Sequence, residues 1–195
     1  MRVVAGSAKG RPLYVPKGLD IRPTTDKVKA AIFSMLAAEA MRRQDLDAEE
    51  VAFPYRRVLD LYAGSGALGI EALSRGAEFV DFVEANARAR SAIRANLERT
   101  GFVSQASIHG LRAQAAVSTF SATYDLILAD PPYDEPTVPE VLETIGRNAI
   151  LKPGGILVLE HARSRDFGAR VGKLQPLRTR NYGTTAVSLF RNDEN

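Results

Sequence analysis

The chain has 195 residues, with 26 Lys and Arg, 23 Asp and Glu and no Cys, which gives a formal net charge of +3. This length is enough for one domain with a sizeable core, and the lack of Cys excludes disulfide scaffolds, Cys-ligated metals and thiol catalysis. No apolar run is long enough for a membrane span, and residues 1–11 lack the apolar core of a signal peptide. We therefore expect a cytoplasmic protein.

The positive charge is concentrated near the start of the chain. Residues 1–29 carry seven basic and two acidic side chains, a balance of +5, whereas the other 166 residues sum to −2. Such asymmetry is typical of an arm that binds a polyanion, and a solvated terminus would explain it equally well.

The first predicted elements lie in residues 1–57. Two β-prone stretches, 2–5 and 13–15, flank Gly6–Gly10 and predict a hairpin. The segment Arg22-Pro-Thr-Thr-Asp26 predicts a helix start, with a Thr in the capping position and Asp26 in the first turn, and the helical pattern continues to about Ala40. The charged stretch 42–57 is predicted to be a loop or an extension of that helix. We expect residues 1–24 to form a basic extension and residues 25–195 the main domain.

From residue 58 onward, short apolar runs alternate with helical patterns. The predicted strands are 58–62, 79–84, 106–109, 124–130 and 156–160, and the predicted helices are 68–74, 88–100, 113–119 and 138–150. Two more β-prone segments, 177–180 and 185–190, are expected to pair through a turn at Tyr182-Gly183. This pattern predicts an α/β fold: a doubly wound, mostly parallel, seven-stranded sheet with an antiparallel last strand.

A glycine-rich motif follows the first of these strands. It reads Asp60-Leu-Tyr-Ala-Gly64-Ser-Gly66-Ala-Leu-Gly69 and opens a helix. Glycines let the backbone approach a ligand closely, and the helix N-terminus offers free N–H groups. The pattern serves nicotinamide, flavin and S-adenosylmethionine sites alike, so it does not by itself select the ligand. Glu84 ends the second strand, where a carboxylate can accept hydrogen bonds from both hydroxyls of a ribose.

The most specific motif is Asp130-Pro131-Pro132-Tyr133, at the end of the fourth strand. The exocyclic amine of a base is a poor nucleophile because its lone pair is delocalised into the ring. Asp130 and the carbonyl of Pro131 can each accept one N–H of such an amine, which favours a nitrogen with a free lone pair. Tyr133 offers a face on which an unstacked base can lie. The motif predicts methylation of an amino group.

These motifs together resemble one bacterial family, the RsmD-type methyltransferases. The resemblance is carried by residues 60–77, 82–84 and 130–133, and also by R-P-T-T-D-K-V at 22–28 and Y-G-T-T at 182–185, so it covers nearly the whole chain. It implies transfer of a methyl group from S-adenosylmethionine to the exocyclic N2 of a guanine in 16S ribosomal RNA of the small subunit. It implies no metal.

The resemblance also implies site residues. The amine-binding set is Asp130, Pro131, Pro132 and Tyr133. The cofactor-binding set is Asp60, Tyr62, Ala63, Gly64, Ser65, Gly66, Leu68, Glu84, Ala85, Arg112 and Ala113. The stretch 109–113 lacks the acidic residue that the family often carries near the adenine, so adenine contacts would depend on backbone groups and apolar packing.

The basic arm then becomes the predicted grip on RNA, through Arg2, Lys9, Arg11, Lys17 and Arg22, because phosphate contacts position a nucleic acid while the pocket selects the base. On the third helix, Arg90 and Arg94 indicate a solvated face. We expect a monomer. Four alternatives stay open: a nicotinamide oxidoreductase, a non-catalytic nucleic-acid-binding protein, an adenine-N6 methyltransferase and a protein-glutamine methyltransferase.

Overall fold

A computed structural model describes residues 1–16, 25–44 and 53–193 of the chain. Within these ranges seven strands form one sheet. The strands are β1 (Arg57–Leu61), β2 (Phe79–Val83), β3 (Ala106–His109), β4 (Tyr124–Ala129), β5 (Leu151–Ala162), β6 (Leu174–Tyr182) and β7 (Thr185–Asn192). The helices are α1 (Asp26–Gln44), α2 (Ala67–Arg75), α3 (Ala87–Thr100), α4 (Ala113–Thr119) and α5 (Val138–Arg147), with one 3-10 turn at Val103–Gln105.

The strand order is β3-β2-β1-β4-β5-β7-β6. The first five strands of this order are parallel, whereas β7 is antiparallel to both β5 and β6. The predicted doubly wound sheet with an antiparallel last strand is therefore confirmed. The order reverses between β1 and β4, and in such sheets the carboxyl ends of the strands open a crevice at that point.

Two apolar layers cover the sheet. On one face α1, α2 and α3 pack against strand residues such as Val58, Val80 and Leu126. On the other face α4 and α5 pack against the alternate residues, such as Leu59 and Ile127. Because both faces are covered, the central strands are apolar at nearly every position, which explains why they are recognisable as short apolar runs.

Several predicted boundaries shift in the structure. The Oγ1 of Thr25 accepts a hydrogen bond from the N–H of Val28 at 3.2 Å, which confirms a threonine cap on α1, and the helix continues to Gln44. Residues 45–52, within the charged 42–57 stretch, lie outside the described residues. α5 ends at Arg147, and β5 begins at Leu151 rather than at 156. The register of β5 against β4 shifts between Leu151 and Ile156, across the sequence Lys152-Pro-Gly-Gly155.

The N-terminal segment is antiparallel, as predicted, but it forms a single bridge, between Arg2 and Pro12, rather than a strand pair. The reason is that its backbone is bound elsewhere. The N–H groups of Val4 and Ala5 donate to the Glu71 carboxylate at 2.8 and 3.0 Å, and Glu71 forms a fully buried ion pair with Lys29. The segment is thus attached to α1 and α2. Among the described residues, no helix is long and apolar enough to span a membrane.

Candidate active site

A cleft of about 670 Å³ opens at the carboxyl ends of β1, β2 and β4. It gathers residues from both predicted sets: Tyr62, Gly64, Glu84, Ala85, Arg112, Ala113, Asp130, Pro131, Pro132 and Tyr133. It is also lined by residues that were not predicted from the sequence: Val83, Leu111, Gln114, Asp134 and Glu135. Asp134 and Glu135 could have been predicted from the sequence, because they directly follow the Asp-Pro-Pro-Tyr motif.

The remaining predicted cofactor residues support the cleft from behind. Leu68 is buried in the core between α2 and the sheet, and Ser65 is 4% exposed. Gly66 precedes α2 with φ +81°, a left-handed conformation that favours glycine. At Gly69 there is no room for a side chain, because a Cβ there would lie 2.4 Å from the ring of Phe82. These glycines bring the start of α2 close to the ends of β1 and β2.

Asp60 lies beneath this loop and is 1% exposed. Its Oδ2 accepts a hydrogen bond from the N–H of Gly69 at 2.8 Å, which holds the first turn of α2 against β1. Burial, together with the neighbouring carboxylates of Asp130 and Glu84, raises the pKa of Asp60 to about 8. At pH 7 the carboxyl is therefore mostly protonated.

Glu84 connects two loops on the side of the cleft that is predicted to hold the cofactor, called here the cofactor side. Its Oε2 accepts from the N–H of Gly64 at 2.8 Å, and its Oε1 accepts from the N–H of Asn86 at 2.7 Å. Each carboxylate oxygen has two lone pairs, so acceptor capacity remains for a ligand. The Nη1 of Arg90 donates to the carbonyls of Glu84 and Ala85, at 3.1 and 2.6 Å. Arg90 thus orders this loop, and the predicted solvated face is wrong for it.

The far end of the cleft is formed by the start of α4. Leu111 is exposed, Ala113 is buried, and the half-buried Gln114 contributes an amide that can both donate and accept hydrogen bonds. This glutamine was not predicted, because the family resemblance directed attention to an acidic residue within 109–113 and not to residue 114. Arg112 is exposed at the rim.

The Asp130–Tyr133 loop is held by side chains on the segment after β5 and on β7. The hydroxyl of Tyr133 forms a short hydrogen bond with the Oγ1 of Thr185. The Nη1 of Arg165 donates to the carbonyls of Tyr133 and Glu135, at 3.2 and 3.0 Å, and its guanidinium lies 5.0 Å from the ring centre of Phe167. The segment after β5 thus clamps the loop at two points. No sequence signal near residue 165 indicated this role.

Asn96 joins the N-terminal segment to the glycine-rich loop. This side chain on α3 is fully buried; its Nδ2 donates to the carbonyls of Tyr14 and Ser65, both at 2.9 Å, and its Oδ1 accepts from the N–H of Tyr14 at 2.7 Å. The order of the loop therefore depends in part on the segment that precedes α1.

Of the five predicted RNA-contacting residues, the three that the structure describes, Arg2, Lys9 and Arg11, do not line the cleft. Arg2 pairs with Asp26 at the start of α1. Arg11 donates to the carbonyl of Arg99 at the end of α3, and Lys9 belongs to the loop that contacts Ser74 near the end of α2. The helices between parallel strands run back toward the amino ends of the strands. Lys9 and Arg11 therefore lie at the amino ends of the strands, whereas the cleft lies at the carboxyl ends. Lys17 and Arg22 lie outside the described residues.

Comparisons with known proteins agree with this geometry. A family model described as "Conserved hypothetical protein 95" matches residues 1–191. The chain is 37% identical over 194 residues to "Putative rRNA methyltransferase YlbH" of Bacillus subtilis, covering 98% of each chain. It is 28% identical over 172 residues to "Ribosomal RNA small subunit methyltransferase D" of Haemophilus influenzae, covering 85% of this chain and 80% of that one.

A solved structure extends the likeness to the fold. "Putative methyltransferase yhhF from Escherichia coli" superposes with a TM-score of 0.83 at 26% identity, covering 100% of this chain and 99% of that one. The similarity therefore includes the N-terminal segment as well as the sheet.

Proposed function

The chain belongs to the family described as Conserved hypothetical protein 95, the RsmD-type methyltransferases, and from that premise we propose that it methylates a guanine of 16S ribosomal RNA on the exocyclic N2. The observation that carries the proposal is that one cleft is lined by the glycine-rich loop, by Glu84 and by Asp130–Tyr133. A methyl donor and an amine acceptor would thus meet in the same space.

The residues of the cleft fit S-adenosylmethionine. Its volume of about 670 Å³ is within the range of sites for molecules of that size. Glu84 lies at the end of β2, where a ribose would lie. The loop residues Tyr62 and Gly64 line the part of the cleft that would take the methionine part, and Gln114 suits the adenine. When bound, S-adenosylmethionine supplies an electrophilic methyl group on a sulfonium.

On the acceptor side, the residues act on the amine of the base. Asp130 accepts one N–H of guanine N2 and the carbonyl of Pro131 accepts the other, so the nitrogen lone pair is directed at the methyl carbon. Tyr133, held by Thr185 and Arg165, presents its ring for stacking. As the bond from N2 to the methyl carbon formed, the bond from sulfur to that carbon would break and a neutral thioether would leave; the amine proton would go to Asp130 or to water. Because N2 takes part in base pairing, the guanine must be unpaired or flipped out.

The alternatives differ in what they leave unexplained. A nicotinamide oxidoreductase would use the glycine-rich loop and Glu84 but not Asp130–Tyr133. A non-catalytic RNA-binding protein would need neither motif. Adenine-N6 methylation uses the same amine chemistry, so the product must distinguish it from the proposed reaction.

The test is transfer of a tritiated methyl group to 30S particles, naked 16S RNA and DNA in parallel, followed by nucleoside analysis. We expect label in 16S RNA as N2-methylguanosine, and none with Asp130→Ala. Recovery of N6-methyladenine would overturn the choice of base, and absence of transfer to any nucleic acid would overturn the proposed function.

A further inference from the structure

A second basic segment lies in the C-terminal part of the chain. Residues 163–182 carry six basic side chains and one acidic side chain, a balance of +5, equal to that of residues 1–29. The charge is not visible in the −2 sum of residues 30–195, because acidic residues elsewhere outweigh it. The position of these basic residues in the fold, rather than their number, suggests what they bind.

Part of this charge forms a row on the edge of the sheet. In the sheet formed by the described residues, β6 is the outermost strand and β7 is its one neighbouring strand. Arg178 and Arg180 lie opposite Leu189 and Val187 of β7, so both project from the same face of the sheet, and Tyr182 follows on that face. Arg180 is exposed and Arg178 is half-buried.

Within the described part of the chain, no acidic side chain forms an ion pair with these arginines. None of the ion pairs among residues 1–16, 25–44 and 53–193 includes Arg163, Arg178 or Arg180. By contrast, Arg2 is paired with Asp26. An exposed guanidinium without a carboxylate partner can form bidentate bonds to a phosphate without first breaking an ion pair.

The row is continuous with the acceptor side of the cleft. Thr185, which bonds the hydroxyl of Tyr133, pairs with Tyr182 at the end of β6. Arg163 lies beside the same turn, because its N–H donates to the carbonyl of Thr184 at 2.9 Å. A strand rises about 3.4 Å per residue, so Arg180 lies about 7 Å from Tyr182 along β6. The row therefore begins beside the loop that presents Tyr133.

We propose that Arg163, Arg178, Arg180 and Tyr182, called here the β6 surface, bind the RNA backbone next to the target base. The inference rests on the proposed function and adds the surface that positions its substrate. Charge complementarity favours a polyanion, and arginines next to a partly exposed aromatic suit unpaired RNA, in which phosphates are neutralised and bases stack. The predicted N-terminal grip would then be a second contact, more distant from the cleft at Lys9 and Arg11.

The test is the triple substitution R163Q/R178Q/R180Q, compared with R56Q/R94Q/R147Q. The control removes the same charge at exposed positions; Arg56 and Arg147 are 73% and 75% exposed. We would measure binding of 16S RNA fragments against salt concentration, S-adenosylmethionine affinity by titration calorimetry, and methyl transfer to 30S particles. We expect the triple variant to bind RNA about tenfold more weakly, with a slope of log K against log salt shallower by about 2, and to bind S-adenosylmethionine normally.

Each contrary outcome is distinct. Equal RNA affinity and slope in the triple variant, the control and the wild type would overturn the β6 surface while leaving the proposed function intact. The β6 surface would also be overturned if the triple variant changed only its oligomeric state, because the arginines would then protect the sheet edge. If the wild type methylated no RNA, the proposed function itself would fail.

Discussion

The two sides of the cleft are built differently. On the cofactor side, Asp60 and Glu84 accept hydrogen bonds from backbone N–H groups no more than 20 residues away in sequence. On the acceptor side, the Asp130–Tyr133 loop is held by side chains 30 to 52 residues away, on the segment after β5 and on β7. One side is thus a local strand-loop-helix unit, whereas the other depends on distant segments. Substitutions on the two sides should separate cofactor affinity from the methyl-transfer step.

The largest effect is expected at Asp130. Asp130→Ala removes the acceptor for the amine N–H, so kcat should fall by about 10²–10³-fold or more, by analogy with removing a group that stabilises a transition state. The affinity for S-adenosylmethionine should stay close to that of the wild type, as measured by titration calorimetry. Asp130→Asn keeps one acceptor oxygen, so its kcat should lie between those of Asp130→Ala and the wild type. Retained activity in Asp130→Ala would rule out the assigned role.

On the cofactor side, Glu84→Ala should weaken S-adenosylmethionine binding by about 10–100-fold, because hydrogen bonds to a charged group contribute about 1.5–3 kcal/mol. The N–H groups of Gly64 and Asn86 would also lose their acceptor. Saturating cofactor should restore most of kcat. Glu78→Gln, at an exposed position, is the matched control. If Glu84→Ala lowered kcat at saturation without changing affinity, the contrast between the two sides would be lost.

A smaller effect on kcat is expected at Arg165, whose side chain binds the loop that carries Tyr133. Arg165→Ala removes two hydrogen bonds to the carbonyls of Tyr133 and Glu135, so kcat should fall about tenfold, with cofactor affinity and melting temperature nearly unchanged. Arg165→Lys should restore part of the rate, since lysine can still donate to one carbonyl. Arg170→Ala, on the same connection, serves as the control. A lowered melting temperature with normal kcat would make Arg165 a structural residue only.

Substitution of Asp60 is expected to have the smallest effect on cofactor affinity at neutral pH. Its pKa of about 8 lies above its ordinary value, so between about pH 4 and pH 8 the folded state holds a proton that the unfolded state has released. The free energy of unfolding should therefore decrease as pH rises through that window. Asp60→Asn, which mimics the protonated form, should flatten this decrease while leaving S-adenosylmethionine affinity at pH 7 nearly unchanged. Urea unfolding of both proteins from pH 5 to pH 9 checks it; parallel curves would contradict the raised pKa.

Much of the fold was predictable because its signals are local. Helix starts such as Thr25 depend on neighbouring residues, and the parallel strands are short apolar runs buried on both faces. The glycine-rich loop and Asp130–Tyr133 could be assigned to one site, because the carboxyl ends of adjacent parallel strands meet at one edge. These motifs carry their chemistry within a few residues.

The contacts that were missed connect distant parts of the chain. Asn96 binds Tyr14 from 82 residues away, and Glu71 binds Val4 from 67 residues away. A polar residue in a helical pattern carries no sign of such a partner. For this reason the predicted hairpin formed only one bridge, since its amides were bound by a carboxylate on α2.

The sequence by itself determined the α/β alternation, the glycine-rich loop and the Asp130–Tyr133 motif, because each is encoded in residues adjacent along the chain. Only the tertiary structure decided where the charges lie. Two segments have the same net side-chain charge, +5, but lie in different parts of the fold. Lys9 and Arg11 lie near the ends of α2 and α3, whereas Arg180 lies beside the turn that holds Tyr133. Net charge is a sum over residues, whereas a binding surface depends on which strand is at the edge and which face its side chains occupy.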